Sequence, residues 1–139
     1  MAQLLFLQCR ALRDIQAAVA FLTTRVRHPD KDDWGKLKRV LKYLKGTLYL
    51  KLRITVDNFS SSQWSIDASH GVHWDCKGQT GAGMTLGQGA VVSFSRKQKV
   101  NTRSSTESEL VGVDDTMPTV LRSLYFIQEQ EYDMTHDTA

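Results

Sequence analysis

The 139-residue chain has no apolar run long enough to span a membrane. The apolar stretch Leu4-Leu5-Phe6-Leu7 is short and has no basic lead-in, which argues against a secretory leader. Cysteine is scarce: Cys9 and Cys76 make no disulfide framework and suit two free thiols in a reducing compartment. Proline occurs only at positions 29 and 118, and no tract is repeated or of low complexity, so collagen-like and wholly disordered classes are excluded. What is there, 41% hydrophobic and 24% charged residues, is ordinary for one globular domain, or a small domain with an appendage.

Charge is unevenly placed. Residues 1–53 hold twelve of the 18 Lys and Arg and four of the 15 Asp and Glu, a formal +8, which leaves −5 for the remainder. A basic segment attracts phosphate, whereas clustered carboxylates attract divalent cations. A solvated helix face beside an acidic tail is the plainer alternative.

Local patterns set out the elements. Asp14 is placed to cap a helix to about Arg27, with Ile15, Ala18, Val19, Leu22 and Val26 on one face and Pro29 ending it. Asp32 or Asp33 starts a second helix closed by Gly46. Trp34, Leu37, Val40, Leu41 and Leu44 share a third of its circumference, and Lys36, Lys38, Arg39, Lys42 and Lys45 occupy the rest. Five cations on one short helix repel each other, an arrangement that suits a helix lying along phosphates. Thr47 to Thr55 alternates, with Leu48, Leu50, Leu52 and Ile54 to one side, and predicts a half-buried strand. Residues 57–63 are polar and read as a linker.

A second strand places Trp64, Ile66 and Ala68 opposite Ser65 and Asp67. Residues 81–86 and 90–95 read as a hairpin around Gly87-Gln88-Gly89. Thr106 opens a helix that Pro118 interrupts, with Asp115 or Thr116 to recap it. Glu129 to Ala139 is polar and expected to fray. The fold class is mixed α/β: a helical pair and strand, then a three-strand meander plus helix.

Candidate chemistry is sparse. Asp67 stands on a rigid strand, though strand-end aspartates usually form turns. Thr106-x-x-Glu109 fits a capping box, with Glu107 in the same turn. His70-x-x-His73-x-x-Cys76 lacks a fourth ligand at zinc spacing. The paired glycines have no phosphate-loop context.

Taken in order, these residues resemble a known family. Asp14-Ile-Gln-Ala-Ala-Val-Ala-Phe-Leu-Thr-Thr-Arg-Val26 and Asp33-Trp-Gly-Lys-Leu-Lys-Arg-Val-Leu-Lys-Tyr-Leu-Lys-Gly-Thr47 resemble the end of the reverse transcriptase in copia-type LTR retrotransposon polyproteins. Asp67-Ala-Ser69, Thr80-Gly-Ala82, Ser93-Phe-Ser-Arg-Lys-Gln98 and Ser104-Ser-Thr-Glu-Ser-Glu109 resemble the RNase H domain that follows it. The resemblance implies a thumb- or connection-like segment at 1–56, a linker at 57–63 and a partial RNase H-like domain at 64–139. It implies cleavage of RNA in RNA–DNA hybrids by two Mg²⁺ ions, with Asp67 and Glu109 as catalytic and metal-binding carboxylates and Glu107 as the fallback. Lys36, Lys38, Arg39, Lys42 and Lys45 would bind nucleic acid. Partners would be an RNA–DNA hybrid or other nucleic acid and the rest of the polyprotein, inside the cell, in a cytoplasmic particle or the nucleus, and no membrane.

Departures accompany the resemblance. The family's third carboxylate, at the end of a fourth strand, would lie beyond Ala139, and the polymerase aspartates upstream of Met1. Leu12-Arg13 replaces the usual Arg-Pro, and Pro118 sits in a normally continuous helix. Asp114, Asp115 and Asp133 fall in the wrong elements to substitute. The chain is therefore expected to be an internal slice of a polyprotein, or a degenerate reading frame, without useful nuclease activity. A non-catalytic nucleic-acid-binding remnant using the helix at 33–46 is the alternative, and a small host scaffold the third reading.

Overall fold

The computed structural model describes residues 1–57 and 60–132, and the backbone of 135–138. The chain divides into two units, Met1–Leu52 and Arg53–Ala139. No helix among the described residues is long and apolar enough to cross a membrane.

The first unit contains α1 (Ala2–Arg10), one 3-10 turn at Arg13–Ile15, α2 (Gln16–Thr24) and α3 (Lys31–Gly46). Leu4, Ile15, Val19, Leu22 and Val40 form its core, with Leu7, Leu12, Leu37 and Leu44 packed around them. Each fully buried Val or Leu contributes roughly 1.5–3 kcal/mol. α1 was not anticipated from sequence. It buries Leu4 and Gln8, one turn apart.

Helix ends depart from expectation for local reasons. α2 stops at Thr24, not Arg27. The Thr23 and Thr24 hydroxyls donate to the Ala20 and Phe21 carbonyls, at 2.6 and 2.7 Å, and so compete with the helical ladder. Val26 therefore lies outside the helix and exposed. Asp14 does not cap α2; it accepts from the Ile15 N–H beside it and from the Tyr43 hydroxyl. Asp30, rather than Asp32 or Asp33, caps α3. Its Oδ1 accepts from the Asp33 N–H at 2.7 Å, and Asp33 Oδ2 accepts from the Asp30 N–H at 3.2 Å, a reciprocal box built from two aspartates.

The strand expected over Thr47–Thr55 is absent. The chain turns at Thr47–Tyr49 and continues without regular structure through residue 56, leaving Leu48 74% and Leu50 59% exposed. Alternation supplies one apolar face but no ladder, and a strand forms only where a neighbouring edge is offered. The boundary between the two units falls inside this stretch. Its start makes local turn bonds, Thr47 N–H to Leu44 O and Leu50 N–H to Thr47 O, and its far end reaches distant backbone: the Thr55 N–H donates to Gln88 O and the Asp57 N–H to Leu86 O, both at 2.9 Å.

The second unit contains β1 (Ser61–Ser69), β2 (Gln79–Thr85), β3 (Ala90–Lys97), α4 (Ser105–Gln128) and β4 (Thr135–Thr138). The sheet runs β3-β2-β1-β4. The first three strands are an antiparallel meander, and β4 joins β1 in parallel. The mixed α/β class is as the sequence indicates. β4 is not: it lies where fraying was expected. β1 begins inside the proposed linker, of which residues 58 and 59 lie outside the described residues.

α4 lies over β1 and β2, covering a core of Trp64, Ala82, Met84 and Val120. Gly112 allows the close approach. A Cβ there would meet Ala68 Cβ at 3.2 Å and Thr80 Cγ2 at 3.5 Å. Pro118 does not break α4. It lies on the exposed side, where the carbonyl it leaves without a partner can be hydrated. Thr116 recaps nothing; it is buried, and its hydroxyl donates to Gly112 O at 2.7 Å.

Gly112→Leu should push α4 off the sheet and lower stability by roughly 1–3 kcal/mol. The check is a urea titration followed by circular dichroism. A midpoint equal to that of the parent chain would mean that the close approach is not required.

Candidate nucleic-acid interface and acidic residues

α3 turns Asp33, Leu37, Val40 and Leu44 inward. The expected companions Trp34 and Leu41 stay out, 57% and 49% exposed. The five cations do not form one face. Lys36 and Arg39, with Tyr43, line a cleft of about 280 Å³ against Ile15, Phe21 and Leu22. The Lys36 ammonium lies 5.0 Å from the Phe21 ring centre and 3.1 Å from Asp32, so its charge is partly compensated. Lys38, Lys42 and Lys45 follow Trp34 along the other flank at helical spacing. They make no ion pair with a described residue, and the Lys38 ammonium lies 5.5 Å from the Trp34 ring centre.

The start of this helix is fixed electrostatically. Asp33 is buried and takes the Arg25 Nε–H at 3.0 Å, while Arg25 Nη2 reaches Asp30 at 3.0 Å. Hydrogen bonding to Asp33 raises the Arg25 pKa above its ordinary value. The Asp33 N–H, assisted by Arg25, holds the Asp30 carboxyl below the usual carboxylate range.

In the second unit a polar network ties the end of β1 to the start of α4. His70 Nδ1 lies 2.9 Å from Thr102 Oγ1 and 3.1 Å from Ser108 Oγ. Buried Gln98 donates through Nε2 to Thr80 Oγ1 at 3.1 Å and to Ser108 O at 2.9 Å. Asp67 stands three residues before His70 and Glu109 directly follows Ser108, so both acids lie at this junction. Their sides differ. Ala68 meets α4, so alternation turns exposed Asp67 to the open face of the sheet. Half-buried Glu109 belongs to the helix covering the other face. Neither acid makes a hydrogen bond or ion pair with another described side chain.

Capping falls to Ser104 and Glu107 rather than to Thr106 and Glu109. Ser104 Oγ accepts from the Glu107 N–H at 3.1 Å, and Glu107 Oε2 accepts from the Arg103 N–H at 2.6 Å. Glu107 is thus engaged and Glu109 is left available. Asp114 and Asp115 are exposed on α4, and Asp133 lies outside the described residues. Asp137 pairs in register with Gln63, four residues from Asp67, which is about 13 Å along a strand. Among the described residues no three His, Cys, Asp or Glu gather as metal ligands. His73 instead pairs with Gln79 at 2.8 Å, and Cys9 and Cys76 are exposed free thiols. The donor set therefore does not fit a pair of Mg²⁺ ions.

Sequence reasoning missed Asp30 and the network of His70, Gln98, Thr102 and Ser108. A cap immediately after Pro29 was the available signal for the first. Small polar residues before α4 were read only as caps.

No protein-family model matches the chain, and no solved structure matches it. The retrovirus-related Pol polyprotein from transposon RE2 of Arabidopsis thaliana is 34% identical over 109 residues, 74% of this chain and 7% of that protein. A transposon Ty5-1 protein of Saccharomyces cerevisiae is 32% identical over 117 residues, 83% of this chain and 38% of that protein. Secreted RxLR effector protein 161 of Plasmopara viticola is 30% identical over 108 residues, 73% of this chain and 72% of that protein. The chain is similar to parts of retrotransposon polyproteins. The chain spans less than half the length of either transposon relative.

The depressed Asp30 pKa sets the sign of an acid response in this chain. The cap stabilises α3 above the ordinary carboxylate range and is lost as pH falls through and below it. Helicity followed from neutral pH to pH about 2 should fall on acidification, and Asp30→Asn should flatten that part of the curve. An unchanged curve would show that Asp30 does not set the acid response.

Proposed function

We propose that this segment spans the junction between the end of the reverse transcriptase and the start of the RNase H domain of a copia-type element. It binds nucleic acid through α3 and does not cleave it. The observation that carries the reading is the row of Lys38, Lys42 and Lys45 on one flank of α3, uncompensated by any described acid. Such a row gains affinity by releasing counterions from phosphate. The junction is supported by the transposon relatives and by the order of elements: a basic helical unit, then a β1-β2-β3 meander, α4 and parallel β4. An RNA–DNA hybrid is the partner the reading favours, with the rest of the polyprotein beside it, inside the cell.

Cleavage is not assigned. Two-metal hydrolysis needs carboxylates that hold two ions about 4 Å apart. Exposed Asp67 is on the strand face opposite Ala68, Glu109 is on α4, and the register of β4 sets Asp137 opposite Gln63 rather than Asp67. No hydrolytic step is therefore derived for them.

Two measurements test the reading. Incubation with a labelled RNA–DNA hybrid and Mg²⁺ should give no cleavage; cleavage that disappears with Asp67→Asn would overturn this assignment. Hybrid binding should weaken as salt rises, and each of Lys38→Ala, Lys42→Ala and Lys45→Ala should shallow the log–log slope by about 0.7–1. A flat salt response would remove the nucleic-acid role.

A further inference from the structure

Trp34 opens this basic flank, and more than half of the residue is in water. One side of the indole carries the Lys38 ammonium. Trp34 also borders a hollow of about 240 Å³ lined by Met1, Val26, Pro29 and Leu37. α2 ends at Thr24, so Val26 in the following turn and Pro29 after it line the hollow together with Trp34. The polar residues beside it, Arg25 and Asp33, bond each other, so that part of its wall offers no base-reading group.

We infer that Trp34 and this hollow form a slot for an unpaired nucleobase, and that Lys38, Lys42 and Lys45 carry the phosphates of the same single strand. The inference rests on the nucleic-acid reading of α3 and adds to it a site for an unpaired stretch, such as a single-stranded overhang of a hybrid. Lysines at i+4, i+8 and i+11 rise about 6, 12 and 16 Å along the helix beyond Trp34 and track a strand leaving the slot. An indole face accepts any base, because every base has a π-face, and a basic groove beside it holds the backbone. Bases inside a duplex are already stacked on both sides and cannot enter. An anionic membrane fits this flank less well. A membrane-surface helix immerses a broad apolar face, and Leu37, Val40 and Leu44 of α3 are packed in the core, leaving Trp34 and Leu41 outside.

The test uses the full chain, with fluorescence anisotropy of labelled poly(dT) and of a blunt duplex, and co-sedimentation with phosphatidylserine vesicles. Poly(dT) should bind more tightly than the duplex. Trp34→Ala should weaken poly(dT) binding about 5- to 150-fold, with Trp34→Phe retaining most of it and duplex binding unaltered. Val26→Trp, which fills the hollow and leaves Trp34 in place, should weaken poly(dT) binding similarly. Circular dichroism confirms that each variant is folded. The salt slope on poly(dT) should survive Trp34→Ala and shallow by about 2 when all three lysines become alanine. Trp34→Ala and Val26→Trp without effect, beside a triple-lysine loss, would overturn the slot and leave the basic-flank reading standing. No binding to either nucleic acid would overturn both, and vesicle binding alone would assign the flank to lipid and overturn both.

Discussion

The Arg25–Asp33 pair decides what α3 can present. Asp33 is buried at the helix start, and Arg25 comes from the residue closing α2, so one ion pair fixes the turn between the two helices. A charge this far from water requires its partner, because removing either side leaves an uncompensated buried ion. Asp30 completes the arrangement by capping α3 and sharing Arg25. With the turn fixed, the rotation of α3 is fixed. Leu37, Val40 and Leu44 go inward, Lys36 and Arg39 go towards α2, and Trp34, Lys38 and Lys45 are left on the outer flank.

The second unit is arranged by a different constraint, the absence of a side chain at Gly112. A helix that approaches a sheet so closely can seal polar groups between the layers, and Gln98 Nε2 is sealed there against Thr80 Oγ1 and the Ser108 carbonyl, while Gln98 Oε1 is buried without a partner among the described residues. Such a network favours one arrangement of strand ends and helix start, since each buried donor or acceptor is costly without its partner. It holds Asp67 and Glu109 near one junction. Alternation along β1 turns Asp67 away from the face that Ala68 presents to α4, the helix that carries Glu109.

Much of this was legible in the residues. The meander follows from alternation in Trp64-Ser-Ile-Asp-Ala68 and from the glycines at the hairpin, and α3 from its periodic Leu37, Val40 and Leu44. The rest depended on partners distant in sequence. Thr47–Thr55 alternates as cleanly as β1, yet among the described residues distant backbone bonds only to its last member, so the same pattern gives a strand in one place and an irregular stretch in the other. β4 shows the reverse case: a polar segment becomes a strand because β1 presents an open edge. Pro118 reads as an interruption because sequence does not reveal that it faces water. The division of the five cations into two groups was hidden for a similar reason. Helical spacing places Lys36 and Lys38 on one helix, but only the position of α2 separates a lysine resting on Phe21 from one left free of acids.

Residues 53–57 clasp the turn between β2 and β3. Thr55 and Asp57 donate to Gln88 and Leu86, the Gln88 N–H returns a bond to Thr55 Oγ1, and Gly89 lies where any side chain would strike the Arg53 carbonyl. Tension arriving along the polypeptide from its N-terminal side is therefore borne by this clasp before it reaches β1. Three hydrogen bonds in line would release one after another, as a zip opens, while the ladders of the sheet stayed unloaded. Mechanically, the hairpin turn is the fuse of the second unit.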